Sequence, residues 1–309
     1  MNLIAAVICT RSCPSMVAEA VRAMLADYPM LLRVIVVQQG NIPAEDPLAD
    51  LEADPRLLKL HHGGVGLSRA RNAGMAAAEA AGAVAVAFTD DDCVPHPGWI
   101  AELAAPFGQF RQVGIVYGST MAADYEPSLG CIPAYVIHEM ALYHGIASKA
   151  KAEGMGACMA VRVETWRRLR GFDDWLGAGT NLASAEENDF CSRALLAGYT
   201  VVETPSARVT HHGFRARGEV AGLIAGYMRG SGAAMAKMLR LGGVRSIPCF
   251  ATTARRWLGG RSAIDVPMAS QRWLRLRAFL AGFRIGLCTP LDRGSGRFRP
   301  FRSAEDLLV

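Results

Sequence analysis

The run 83–88, Ala-Val-Ala-Val-Ala-Phe, is apolar at every position and leads through Thr89 into Asp90, Asp91 and Asp92. A strand with no polar face is buried on both sides, the condition of a strand inside a parallel sheet covered by helices. Ligands of open α/β sheets bind beyond the carboxyl ends of such strands, and the three aspartates fall there. Adjacent carboxylates repel one another unless something positive sits among them. A hard divalent cation carrying phosphate oxygens meets that need, because Mg²⁺ and Mn²⁺ take oxygen ligands and few protein carboxylates. The competing reading is an acidic surface turn that caps a helix starting near Pro97.

The rest of the first half follows the same pattern. Strand candidates at 3–9, 32–37 and 57–60 alternate with helical stretches near 14–27, 44–53 and 67–80. The last of these is rich in alanine and arginine, both good helix formers. Strands alternating with helices predict an α/β fold on a mostly parallel, Rossmann-like sheet with right-handed crossovers. Further strands are expected at 113–117, 157–161, 200–203 and 207–210. Beyond about residue 215 the strand signal stops. Segments 217–240, 246–258 and 268–288 read as helices broken at Gly242-Gly243 and Gly259-Gly260. With no internal repeat and no low-complexity linker, this helical region is expected to pack on the body.

Charge divides the chain at the same place. Residues 1–204 carry 15 Lys/Arg against 23 Asp/Glu, whereas 205–302 carry 18 Lys/Arg against only Glu219, Asp265 and Asp292. Two regions are therefore expected, an acidic catalytic body over 1–215 and a basic helical tail over 216–309. No stretch of 18 apolar residues is free of charge, so no membrane-spanning helix is predicted. The apolar start runs into Thr10-Arg11 without a basic leader and reads as a first strand. The eight cysteines form no Cys-x-x-Cys pair and several sit in apolar runs. That usage suits buried, reduced thiols in a cytoplasmic protein better than disulfides or zinc.

Three further constellations carry chemistry. The stretch 63–74, Gly-Gly-Val-Gly-Leu-Ser-Arg-Ala-Arg-Asn-Ala-Gly, follows the third strand candidate and opens a helix. Its backbone amides could approach phosphate, and Arg69 and Arg71 could pair with a diphosphate; a solvated basic helix face is the alternative. Arg69 stands where a dinucleotide fingerprint requires glycine or alanine, and no Gly-Lys-Ser/Thr follows as in a Walker loop. Residues 171–193 set glycine-rich loops around Trp175 before Glu186, Glu187 and Asp189 at a helix start, like a pocket wall with a carboxylate at its rim. Carboxylates also favour that position through the helix dipole, and Asp189 with Arg193 reads as an i,i+4 pair. His211-His212 closes the last strand candidate, where neighbouring side chains point to opposite faces, so at most one enters a shared site.

In order and spacing these pieces resemble the family 2 glycosyltransferases, inverting enzymes of the GT-A fold that use nucleotide-sugar donors. The resemblance covers roughly residues 2–213. Ala70-Arg71-Asn72-Ala73-Gly74 matches the family's ARNxG, and Asp90-Asp91-Asp92 with Pro97-Gly98-Trp99 matches DDDxxxxPGW. Gly171-Phe172-Asp173 matches GFD, Glu186-Glu187-Asn188-Asp189 aligns with EDxD, and Val209-Thr210-His211 matches VxH. The resemblance implies that Thr10, Arg11, Arg71 and Asn72 lie along the donor. Asp90 would meet its ribose, and Asp91 would shape the loop. Asp92 and His211 would hold Mn²⁺ or Mg²⁺ on the diphosphate, and Glu187, or Glu186 beside it, would be the base. Trp99 and Trp175 are the candidate acceptor contacts. Two residues depart from the pattern: Gln38 replaces an aspartate that usually accepts from the nucleobase, and Glu187 adds one methylene to the usual base. The implied partners are a nucleoside-diphosphate sugar, most commonly of uridine, and a glycan or lipid-linked acceptor. A catalytically inactive nucleotide-sugar-binding protein of the same fold is the alternative.

The tail combines arginine with tryptophan at 255–258 and 272–277. Both residue types suit a membrane interface, and an anionic leaflet adds about 1 kcal/mol per basic side chain near it. Nucleic acid would attract the same charge, but no nucleic-acid module is visible. Peripheral attachment to the inner face of the cell membrane is therefore expected, with no nucleic-acid partner.

Overall fold

The computed structural model describes residues 3–12, 15–27, 31–41, 46–258 and 272–299. The chain opens with β1 (Ile4–Thr10), α1 (Ser15–Asp27), β2 (Leu31–Gln39), β3 (Leu57–His62), α2 (Leu67–Ala80) and β4 (Ala85–Asp90). It continues through β5 (Cys93–Pro95), α3 (Trp99–Gln109), β6 (Val113–Ala122), β7 (Gly130–Cys131), β8 (Ala141–His144) and β9 (Met159–Arg162). Then come α4 (Val163–Arg168), α5 (Glu186–Leu196), β10 (Thr200–His211) and β11 (Arg215–Ala216). Helices α6 (Val220–Gly242), α7 (Ile247–Leu258) and α8 (Arg272–Cys288) follow.

Nine strands form the main sheet in the order β3-β2-β1-β4-β9-β6-β10-β5, with β8 also on β10. The first four are mutually parallel, β9 runs antiparallel between β4 and β6, and β10 is parallel to β6. Alternate residues of the buried β1 feed two cores, as the period-2 geometry of a strand requires. Ile4, Ala6 and Ile8 pack with α1 and α3, while Ala5 and Val7 pack with α2 and α5. Helix α2 lies so close that a Cβ on Gly74 would come within 2.6 Å of Val7.

Four expectations change. The helix foreseen at 44–53 is a single 3₁₀ turn at Ala49–Leu51 among the described residues. The strands foreseen at 200–203 and 207–210 are one strand, β10, whose register slips between Glu203 and Arg208 around Pro205; proline cannot donate to the ladder, so pairing breaks there. The segment at 157–161 gives β9, which runs against its neighbours. A helix does begin near Pro97, but its cap is Gly98 at φ 81 with no side-chain cap bond, so the aspartates do not cap it.

The helical region is fastened to the body by buried charge. Lys237 of α6 is fully buried and ion-paired to Asp173 and, at 2.8 Å, to Asp189. Asp189 also receives Arg193 at 2.9 Å, the i,i+4 pair the sequence indicated, and Asp173 accepts the backbone N–H of Phe298 at 2.7 Å. Burial disfavours charge on Asp189, but Arg193 and Lys237 outweigh it and hold its pKa below the usual carboxylate range. Helix α8 packs along α6 through glycines, since a Cβ on Gly282 or Gly286 would collide with the backbone of Arg229 or Ala233.

Candidate active site

The ends of β1, β4 and β10 converge. Asp90 is the last residue of β4, and His211, the last of β10, pairs with Cys93 of β5. That antiparallel pairing brings His211 Nε2 to 3.3 Å from Asp92 Oδ1. His211 Nδ1 bonds the Pro133 carbonyl at 2.7 Å, which leaves Nε2 facing the carboxylate. Burial works against a charge on His211, but the Asp92 bond outweighs it and raises the imidazole pKa. The same contact, with Arg215 at 3.6 Å, keeps Asp92 low despite its burial. His212 is exposed, so one histidine of the pair enters the site.

Asp92 and His211 are suited to a divalent cation. Their ligand atoms cluster with Cys93 Sγ within 4.8 Å. Gly213 keeps the cradle open, because a Cβ there would strike Asp92 Oδ2 and lie 2.5 Å from His211 Nε2. Cys93 is the unsuited member: burial holds its thiol pKa well above the ordinary value, and a neutral thiol is a poor ligand for a hard cation.

The other aspartates are held differently. Asp91 accepts the Thr10 hydroxyl at 2.6 Å; burial lifts its pKa, and that bond opposes the rise. Asp90 is touched by Arg71 Nη2 at 3.2 Å, while Arg71 Nη1 binds Glu186 at 2.8 Å. Arg71 is buried between the rings of Phe88 and Phe172, about 5.8 and 5.9 Å from their centres. Its planar fork is thus committed to two carboxylates.

Glu187 borders open space and accepts the Asn188 amide at 2.9 Å. It stands half-buried in the wall of a cavity of about 520 Å³ that also reaches Arg11, Asp90–92, His211 and Arg215. Burial, followed by the charge of Glu186, raises its pKa to about 8. The backbone ahead of it is strained, with Ala183 at φ 61 and Ala185 at φ 70, a conformation costly for alanine and typical of functional loops. Separation of the two glutamates is plain in the geometry: Glu186 is tied to Arg71, and Glu187 is not.

Several candidates take other positions. Asn72 makes four bonds, donating to Phe172 O and Asp174 and accepting from Trp166 Nε1 and the Phe172 N–H. Its capacity is spent stapling α2 to the 171–174 loop, so it is not a donor contact. Arg71 positions Asp90 and Glu186 with one N–H each and is itself part of the cavity lining. Trp99 is 1% exposed and donates to Cys158 Sγ in the core, and Trp175 stacks edge-on against Phe298. Neither lines the cavity, which corrects their assignment to the acceptor. Gln38 Nε2 donates to three carbonyls, including Arg11 O at 2.8 Å, and its buried Oε1 has no partner. The sequence reading passed over Arg215, Tyr227 and Gly213. Arg215 and Gly213 lie just past the VxH stretch, a usable signal; Tyr227 sits in α6, where only tertiary packing brings it to the cavity.

A Rossmann-like sheet whose strand ends carry a carboxylate–imidazole cluster, faced across a cavity by a carboxylate at a helix start, is the arrangement of the GT-A glycosyltransferase fold. The sequence model of glycosyl transferase family 2 matches residues 5–130 of the chain. The chain is 30% identical over 189 residues to the pre-mycofactocin glycosyltransferase of two Mycobacterium tuberculosis strains. That likeness covers 58% of this chain and 37% of the relatives, so the match spans little more than a third of their length. Among solved structures, the mannosyltransferase PcManGT of Pyrobaculum calidifontis, in complex with GDP-Man and Mn²⁺, superposes with TM-score 0.61 at 17% identity. It covers 92% of this chain and 87% of that one. S. aureus TarS 1–349 superposes at TM-score 0.58 with 14% identity, over 93% and 82% of the two chains. At such identities the likeness is one of fold.

Proposed function

We propose that the protein is an inverting glycosyltransferase that moves a sugar from a nucleoside-diphosphate donor to an acceptor hydroxyl. The observation that carries this reading is the separation of roles around one cavity: Asp92 with His211 at the strand ends, and Glu187 in the same lining, its carboxylate in no ion pair among the described residues and bonded only to the Asn188 amide. In this reading Asp92 and His211 hold Mn²⁺ or Mg²⁺, which when bound supplies positive charge to the departing diphosphate. Arg215 and Arg11 line the same cavity and add cationic stabilisation of that leaving group. Asp90, fixed by Arg71, meets the ribose, and the unpartnered Gln38 Oε1 is an acceptor that a ring N–H of the base would satisfy.

Glu187 accepts the proton of the acceptor hydroxyl as its oxygen bonds to C1. The bond from C1 to the diphosphate oxygen breaks on the opposite face, and the electron pair leaves with the diphosphate. The configuration at C1 inverts. The mycobacterial relatives carry the name of a glycosyltransferase, and the Pyrobaculum enzyme was solved with a nucleotide sugar and Mn²⁺, both consistent with this chemistry.

Purified protein incubated with a panel of nucleotide sugars and Mn²⁺ should release nucleoside diphosphate slowly, and one donor should raise the apparent Tm by mass action. A Tm shift without release at any pH would make it a nucleotide-sugar-binding protein; neither response would defeat the proposal.

Attachment to an anionic membrane surface belongs to the same reading. No helix among the described residues is long and apolar enough to cross a membrane. Helix α8 nevertheless exposes Trp273 (77%), Leu276, Leu280 and Leu287 beside Arg272, Arg277 and Arg284. The arginine–tryptophan pair at 256–257 lies in α7, where the side chains fall outside the described residues. Co-sedimentation with phosphatidylserine vesicles at low salt, lost at high salt, is the expected result.

A further inference from the structure

The cavity continues past Glu187, and its far end differs in chemistry from the strand ends. Glu187 accepts the Asn188 amide at 2.9 Å, and Asn188 lies on the side that carries Lys149. Lys149 anchors that side, donating to Asn188 Oδ1 at 2.9 Å and Ala152 O at 2.7 Å. Next to it the wall is made by Met235 and Met238, with Ala234 and Cys249, while Met155 and Met228 line the cavity elsewhere, Met228 beside Cys131 and Ile224. Four of the chain's 13 methionines therefore line this one space. Met238 and Cys249 form a buried apolar cluster with Ile146 and Ala150, and Met235 packs against it. The polar side chains here are Lys149, Glu153, Asn188, Ser192, Ser231 and Thr253, and Tyr227 is the only Phe, Tyr or Trp among the described lining residues.

A site built for an oligosaccharide needs hydrogen-bonding side chains around the sugar and aromatic faces beneath it. This end has a single aromatic ring, and Lys149, Asn188 and Ser192 already spend hydrogen bonds on one another's elements. Unbranched thioether side chains instead make an apolar wall that reshapes around its occupant. Apolar area withdrawn from water, and not directional bonding, would then supply the affinity.

Resting on the reading of Glu187 as the base, we infer that the acceptor presents its hydroxyl from an aliphatic body, and that this body enters the methionine-lined end between α6 and α7. The acceptor class is thus a hydroxyl on an apolar aglycone, and chain length on that aglycone is read by Met235 and its neighbours. A free glycan would leave the apolar wall uncovered.

The test uses n-alkyl β-D-glucosides from methyl to octyl, below their micelle concentrations, titrated calorimetrically into the full-length protein without donor. Kd should fall at least tenfold from methyl to octyl, with a heat-capacity change that grows more negative along the series. Met235→Gln, similar in shape but polar, should flatten the series, and Met235→Leu should restore it. A flat series in the wild type, no binding at all, or an undiminished increment in the Met235→Gln protein would each overturn the inference. The last would place the chain elsewhere, the exposed face of α8 being the obvious site. Octyl glucoside held in neutral phosphatidylcholine vesicles separates the two sources of such an acceptor: competition with the soluble titration marks a membrane-borne one, and none marks a soluble one. Release of nucleoside diphosphate from the donor alone is independent of these outcomes, so failure here and failure of the transferase reading are told apart.

Discussion

The two sides of the cavity are built on different principles. The side read as the donor side hangs on strand ends, where pairing with neighbouring strands fixes Thr10, Asp90 and His211 within the sheet. The roof is helical, and its apolar wall is held over the site by a few buried charges, chiefly Lys237 between Asp173 and Asp189. Sheet ends position charges with little freedom, which suits a leaving group whose chemistry does not vary. A helical wall faced with methionine tolerates variation, which suits the half of the reaction where substrates differ.

If the roof is as integral as the buried ion network implies, its removal should unfold the body as well. Lys237→Met leaves Asp173 and Asp189 short of a cation in a fully buried place, and breaking such a network costs about 3–5 kcal/mol. One cooperative melting transition at a markedly lower Tm is expected by calorimetry. Two separate transitions would mean that the roof is an appendage and the comparison is wrong. On the donor side the effect should be local. Asp92→Ala should cut Mn²⁺-dependent release of nucleoside diphosphate by about 100- to 1,000-fold, the scale of losing one charge-stabilising group, with a Tm within a few degrees of wild type. Gly213→Ala should reproduce the loss by crowding the same two ligands.

The same contrast explains what the sequence disclosed. The strand-end side was legible because strand periodicity and the aspartate cluster are local signals: the strand expected at 83–88 is β4 at Ala85–Asp90, with Asp90 its last residue. His211 and Asp92, more than a hundred residues apart, meet as the order of motifs implied. Where reading failed, the deciding fact was a distant contact. Asn72 resembled a donor ligand, yet its hydrogen-bonding capacity is consumed by residues 166, 172 and 174. Trp99 and Trp175 had the chemistry of sugar platforms, but the packing of α3 and of the 298 segment turned them inward. The helical region was legible as helices and as basic, but its inner face was not, since which methionines line a cavity depends on how α6 sits on α5. Lys237 left one trace, a single cation in Ala-Ala-Met-Ala-Lys-Met-Leu.

Glu187 sits where the two sides meet, and its proton offers the finest test. Its carboxyl pKa is about 8 in the folded protein against an ordinary 4.5. Between those pH values the folded chain binds a proton that the unfolded chain has released. The stability from this group is therefore complete below pH 4.5 and is lost progressively as pH rises toward 8. In the Glu187→Gln protein no such loss occurs, so its Tm relative to wild type should rise between pH 5 and pH 8 and then level. Transfer behaves oppositely in sign, because only the ionised carboxylate can take a proton. Wild-type kcat/KM should climb with pH, reach half its maximum near pH 8 and level above it, while Glu187→Gln should be at least ~100-fold slower at the plateau and lack that limb. A stability difference that is flat with pH would mean that Glu187 is charged in the free protein, and the base would then owe its basicity to the donor site and not to its own burial beside Glu186.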